Sequence, residues 1–383
     1  MKHLSTLALP AALALVLAIA MPPANADPVQ DIEWSGSGFL SLAAGKILKG
    51  THEEATDLGY DCPCFISDYG QRGVYEGGGW QFGPDSRLGL QGNASVAAGR
   101  YSVTAQVVAR GSMRGKADLE WLYATAELGS DWTLQVGRKR LPLFMSSEVQ
   151  DVGYALPWVH LPPQLYGWEI VNYDGASLTY RGAVGPWLAT VNLLAGQETA
   201  HDAGYWHIYH GKNSRTDSRW TDISGVEAKL SRGPFDARLV MIQSYEQSRV
   251  LSAGETDYSP KAWQRIHGLS LAMDDGRWMA RTELLYINRQ EDYGGDHAQL
   301  YAAGRRFGPL LAMLSYSNYR QSVNFGAGPA ESHSTRSAVL RYELGQSSAL
   351  KLQFDQWHDK AAPGYGAPHG DVQLLSVAYD RVF

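Results

Sequence analysis

The chain has 383 residues, of which 44% are hydrophobic, 19% charged and 11% aromatic, with 41 glycines and 2 cysteines. Such proportions exclude a disordered chain, a collagen and a disulfide-stapled miniature domain. With 33 basic against 39 acidic residues the formal charge is −6, which implies no nucleic-acid surface. A single apolar run approaches membrane-spanning length, so a multi-helix membrane protein is excluded as well.

That run opens the chain. Lys2 and His3 precede an apolar stretch from Leu7 to Ala20, and Ala24-Asn25-Ala26 supplies a small-x-small cleavage pattern. Residues 1–26 read as an export signal cut between Ala26 and Asp27, with an uncleaved anchor as the alternative. Export places the mature chain, 27–383, in the periplasm or outer membrane of a two-membrane bacterium, where thiols are oxidised. Cys62-Pro63-Cys64 then leaves two readings open: a local disulfide, or a metal site that lacks the further ligands zinc requires.

From residue 86 onward, stretches of alternating polarity recur, each followed by a break. Leu88, Leu90, Ala94 and Val96 alternate with Arg87, Gln91, Asn93 and Ser95, and Leu350, Leu352 and Phe354 with Lys351, Gln353 and Asp355. A period of two places these sets on opposite faces of a strand. The expected strands are 36–44, 86–97, 101–110, 118–128, 131–140, 173–182, 187–196, 221–231, 235–246, 262–273, 278–289, 298–307, 310–320, 335–344, 349–358 and 372–383. Tight connections such as Gly129-Ser130-Asp131 and Asp274-Asp275-Gly276 alternate with long ones around 45–85, 141–172, 197–220 and 359–370. Two classes of loop length are what a transmembrane barrel requires, with short periplasmic turns and long external loops. A soluble β-sandwich has no reason to sort its loops in this way.

The expected fold is therefore an all-β transmembrane antiparallel barrel of about sixteen strands. Trp121, Tyr123, Trp132, Trp187, Trp278, Tyr342 and Tyr379 are expected to form aromatic girdles in contact with membrane lipid. A barrel of this size encloses an aqueous lumen. A charge on the lipid face near midplane costs about 2–4 kcal/mol, so Arg238, Arg281, Glu283, Arg341 and Lys351 are expected to point inward. The segment 141–172 stands apart, because its prolines, phenylalanine and tryptophans carry too much apolar mass to lie exposed.

Leu375, Val377, Tyr379 and the final Phe383 share one strand face, interrupted by Arg381. The ending resembles the sorting signal of Gram-negative outer-membrane proteins, which implies the barrel-assembly machinery as a partner. Gly137-Arg138-Lys139-Arg140-Leu141-Pro142-Leu143-Phe144, with Asp151-Val152-Gly153-Tyr154-Ala155, Pro157-Trp158-Val159, Pro162-Pro163 and Tyr166-Gly167, resembles a loop of porin-like proteobacterial proteins. With the strand layout, it places the chain near the 16-stranded general-porin superfamily, although that superfamily's enterobacterial Pro-Glu-Phe-Gly-Gly motif is absent. The resemblance implies a homotrimer, a third external loop (141–172) folded inward, and a constriction where loop carboxylates face wall cations. Matching positions are Glu148, Asp151 and Glu169 on the loop, with Arg87, Arg110, Arg181, Arg238, Arg281 and Arg341 on the wall.

The expected function is a water-filled channel for passive diffusion of small hydrophilic solutes and ions, without catalysis, cofactor or metal. One alternative is a substrate-specific channel for sugars or organic acids, with Tyr154, Trp158, Tyr166 and Trp168 as a stacking track. An outer-membrane enzyme is a second. It lacks support in the sequence, which has no G-x-S-x-G and only a loop cluster of His201, His207 and His210. A non-conducting barrel is a third, and would show a lumen occluded by apolar side chains.

Overall fold

The computed structural model describes residues 32–290, 294–322, 330–361 and 370–383. The export signal and its cleavage point at Ala26–Asp27 lie outside the described residues. The strands are β1 (Glu33–Gly50), β2 (Phe65–Asp68), β3 (Gly73–Tyr75), β4 (Arg87–Val96), β5 (Tyr101–Arg110), β6 (Ala117–Glu127), β7 (Trp132–Arg140), β8 (Asn172–Val184) and β9 (Trp187–Ala200). They continue with β10 (Thr216–Arg232), β11 (Phe235–Val250), β12 (Ala262–Asp274), β13 (Trp278–Arg289), β14 (Gly295–Phe307), β15 (Leu310–Ser322), β16 (Ser332–Glu343), β17 (Ser348–Asp359) and β18 (Val372–Val382). Two short helices are α1 (Pro163–Tyr166) and α2 (Gly204–His210). No helix among the described residues is long and apolar enough to cross a membrane, so any crossing falls to strands.

All of the strands except β2 and β3 join in sequence order into one closed antiparallel barrel, sealed where β1 pairs with β18. Every expected strand is present. Several run further toward the long-loop rim than their alternation indicated, because bulges interrupt the period: β1 slips between Ile47 and Lys49, and β10 between Thr221 and Ser224. The turns 97–100, 128–131, 185–186, 233–234, 275–277, 308–309 and 344–347 share one rim with the C-terminus. The longer segments 51–86, 141–171 and 201–215 lie at the other.

Leu88, Leu90, Leu239, Met241, Leu271, Leu314, Leu340 and Leu352 cover the outer wall. Exposed Trp132, Phe235, Trp278, Phe307 and Tyr342 ring it at the short-turn rim, as an interfacial girdle does. Trp121 and Tyr123 do not belong to that girdle. They pair with Gln106 and Thr104, whose neighbours across the sheet are Gln91 and Asn93, so they share the luminal face.

The core of the molecule lies inside the barrel. From segment 141–171, Leu141, Leu143, Phe144, Leu156, Trp158, Leu165, Trp168 and Ile170 pack against inward-facing Val240, Ile242, Ile266, Leu285, Ile287, Leu300, Met313 and Val339. Each such side chain contributes about 1.5–3 kcal/mol when removed from water. This corrects the expectation of an aqueous lumen on this side of the barrel, where the inserted segment fills it. Stretches of β11–β16 are apolar on both sides, as runs such as Leu239-Val240-Met241-Ile242 and Leu310-Leu311-Ala312-Met313-Leu314 show. A second insertion lies beside it: β2 and β3, from segment 51–86, set Phe65, Ile66, Tyr69 and Tyr75 against Ile47, Trp357, Val372 and Leu374 of the wall and Ile208 of α2. The disulfide Cys62–Cys64 lies in this segment.

Candidate functional site

Segment 141–171 enters the lumen directly from β7 and is held there because its buried backbone carbonyls meet fixed donors, without which burial would be costly. Arg238 donates to the carbonyls of Pro142 (2.9 Å) and Phe144, and Arg341 Nη1 to that of Leu156 (2.6 Å). Lys351 Nζ donates to Gly153 O and Trp158 O, each at 2.7 Å. Arg281 donates to Ser146 Oγ (2.9 Å) and to the Tyr166 hydroxyl. Tyr154 OH reaches Gln346 O at the opposite rim, 2.9 Å away. These partners lie on β11, β13, β16 and β17 and in the 344–347 turn, so the segment descends through the barrel.

On the other side, the segment ends in a closed arrangement of alternating charges. Asp151 pairs with Arg110 Nη2 at 2.7 Å and Arg140 Nη2 at 2.5 Å, with Arg87 at 3.7 Å. Glu120 pairs with Arg110 Nη1 at 2.7 Å and Arg140 Nη1 at 3.4 Å, and accepts from Asn172 Nδ2 at 2.7 Å. None of Arg110, Glu120, Arg140 and Asp151 is more than 5% exposed. Burial would raise the Asp151 carboxyl, but Arg110, Arg140 and Arg87 overcome it and hold the group well below the usual carboxylate range. Three guanidinium groups meet two carboxylates here, and the carboxyl of Asp68 lies in the same hollow as Arg87 and Asp151.

A second buried network ties both inserted segments to the wall. His160 Nδ1 lies 3.0 Å from Asp85 and Nε2 lies 3.1 Å from Asp355 of β17. Tyr75 donates to Asp85 at 2.8 Å, and the Val159 N–H to Gln353 Oε1 at 2.7 Å. Burial opposes the imidazolium, yet the flanking Asp85 and Asp355 push His160 up to about 10.

The residues singled out from the sequence separate accordingly. Asp151, Arg87 and Arg110 come together. Arg238 and Arg341 anchor the inserted backbone, and Arg281 holds the Ser146 and Tyr166 side chains of the same segment. Glu148 is exposed. Glu169 accepts from Trp220 Nε1 at 2.9 Å, and burial together with Glu246 pushes it up to about 7. Arg181 is exposed near the short-turn end of β8, paired in register with Thr190 and far along the strand from the cluster, so it does not belong to the constriction. Trp158, Tyr166 and Trp168 are buried in the core and Tyr154 is half-buried against Arg341, so the four do not line an aromatic track. Glu120, Arg140, Asp85 and His160 join these networks without a pattern in the sequence that marks them, except Arg140 as the end of the Arg138-Lys139-Arg140 run.

Space remains on the β4–β9 side. A cavity of about 1180 Å³ opens at the long-loop rim over the cluster, lined by Glu120, Arg138, Asn172, Glu198, Arg72 and Asp202 among others. Toward the other rim, polar pairs cross the inner wall, with Gln106 and Thr104 buried and their partners half-buried: Gln106 with Gln91 and Asn93 with Thr104 (each 2.9 Å), Gln135 with Thr125 and Thr179 with Asn192 (each 3.2 Å). The arrangement is a cavity and a polar stretch of inner wall beside a packed apolar filling, with the buried Arg110–Asp151 cluster below the cavity.

No protein-family profile matches this sequence, and no curated protein matches it. Solved structures do. The anion-selective porin of Comamonas acidovorans superposes with a TM-score of 0.57 at 12% identity, covering 92% of this chain and 100% of its own. The outer membrane channel DcaP of Acinetobacter baumannii gives 0.55 at 11% identity, covering 92% and 97%. In-vitro folded OmpT of Vibrio cholerae, an outer membrane protein solved in a trimer form, gives 0.54 at 9% identity, covering 92% and 99%. At these identities the likeness concerns the backbone arrangement: the chain has the closed 16-stranded barrel fold of outer-membrane porins.

Proposed function

We propose that the protein is an outer-membrane channel through which small hydrophilic solutes and ions diffuse along the β4–β9 side, past the Arg87, Arg110 and Arg140 guanidiniums. The observation that carries this is the unequal inner wall. Polar side chains line one sector from the external cavity toward the opposite rim, while the β11–β18 sector is filled by the two inserted segments, whose apolar side chains pack on it. Confined charges select ions because a permeating ion passes them partly dehydrated. The three clustered guanidiniums favour small anions, and the anion selectivity named for the Comamonas acidovorans porin supports that preference. In this reading the chain is a conduit rather than an enzyme, requires no cofactor, and works as a homotrimer, as the trimer form of Vibrio cholerae OmpT supports.

The test is single-channel recording of the detergent-purified protein in planar bilayers under a KCl gradient. The proposal expects small discrete steps and a reversal potential on the anion side. Stable insertion without conductance would favour the non-conducting barrel, for which the apolar filling of β11–β18 speaks.

A further inference from the structure

The outer face of β13–β17 is not smooth. Ala280, Ala303 and Ala338 lie in one register row with Leu314 and Phe354, and the row above holds Thr282, Tyr301, Tyr316, Arg336 and Gln356. Small residues flanked by Tyr301, Leu314, Tyr316 and Phe354 leave an apolar groove of about 780 Å³. At Tyr316, Arg336 and Gln356 it meets a second hollow, of about 580 Å³, toward the long-loop rim. That hollow is basic: Lys49, Arg336 and Lys360 line it, and its carboxylate, Asp371, is engaged by His358 at 2.8 Å and the Asp359 N–H at 2.9 Å. Lys49, Arg336 and Lys360 are exposed, and none makes an ion pair with another described residue.

A cation on the outer wall of a membrane barrel, close to a greasy trough, is unfavourable unless an anion meets it. The juxtaposition fits a molecule with a phosphate at one end and hydrocarbon at the other. We propose that this groove seats a phosphorylated, multi-chain lipid of the external leaflet, its acyl chains along Ala303, Leu314, Ala338 and Phe354 and its phosphate on Arg336, Lys49 and Lys360. Charge complementarity selects this occupant over a neutral lipid, which leaves the three cations unmet. It also disfavours a two-fold contact with a second copy of the chain, which would bring its own basic hollow against this one. The proposal rests on the barrel being membrane-embedded, but not on conduction.

Native mass spectrometry of the full-length protein in detergent, titrated with bis-phosphorylated lipid A or with phosphatidylcholine, tests it. Wild type is expected to retain lipid A in preference to phosphatidylcholine. Arg336→Gln should weaken retention about fivefold, and Arg336→Gln with Lys49→Gln more than tenfold, since each basic residue at an anionic surface contributes about that factor. Ala338→Trp, which fills the groove and keeps the cations, should weaken it as well. Each variant is first shown to fold by its heat-modifiable gel mobility, and single-channel conductance should be unchanged in all of them. Equal retention of the two lipids, or retention indifferent to both kinds of variant, would overturn the proposal. So would efficient disulfide cross-linking of Ala338→Cys between copies. Lipid preference without conductance in any preparation would fail the channel reading and leave this one standing.

Discussion

Asp151, on the segment inserted into the barrel, lies 2.7 Å from Arg110 of β5, and neither side chain is more than 5% exposed. The contact joins the inserted segment to the wall beneath the cavity at the long-loop rim. Asp151→Asn keeps an oxygen acceptor but removes the carboxylate that Arg87, Arg110 and Arg140 share. Breaking a buried pair by removing one partner costs about 3–5 kcal/mol. The thermal midpoint in detergent should therefore fall, and the reversal potential should move further to the anion side.

His160 introduces a dependence on pH. Its imidazolium, held by Asp85 and Asp355 against the effect of burial, is pushed up to about 10, above the usual value near 6.5. A group whose folded value is raised contributes stability that is complete below about pH 6.5 and is lost as pH rises toward 10. Thermal unfolding followed from pH 6 to 10.5 should show wild type declining across that window. His160→Gln should start less stable and decline less.

Trp158 is fully buried, with its Nε1 donating to Ser315 Oγ at 3.1 Å. Trp158→Ala opens a cavity where the inserted segment meets the wall and should cost about 3–5 kcal/mol. The barrel itself should persist, because its strand pairing does not run through this residue. Limited proteolysis should then cut within 141–171, and conductance should become larger and noisier.

Phe383 closes the seam of the barrel, its N–H donating to Gly38 O at 3.0 Å while its carbonyl accepts from Gly38 N at 2.7 Å. Deleting Phe383 should lower the fraction of folded, heat-modifiable protein in outer membranes well below wild type. Phe383→Tyr, which keeps an aromatic end, should restore most of it.

The barrel was legible because a wall between lipid and water imposes a period of two, and a charge on the wrong face is expensive. The filling was harder to read. Where an inserted segment covers the inner wall, both faces become apolar, and runs such as Leu310 to Leu314 lose the alternation that marks a face. The contact of Asp85, His160 and Asp355 joins three distant parts of the chain, and nothing local to any of them announces the other two. Arg181 shows the converse. Its position on the luminal face was readable from alternation, but its height along β8, which keeps it from the cluster, was not.

The central claim is that a polar passage along β4–β9 conducts past Arg110 and Asp151 although the rest of the lumen is packed. Single-channel recording of wild type and Asp151→Asn side by side, under one KCl gradient, tests it most directly. The account predicts small discrete steps for wild type and a stronger anion preference for the variant. Silent bilayers containing correctly folded protein, or identical reversal potentials for the two, would contradict it.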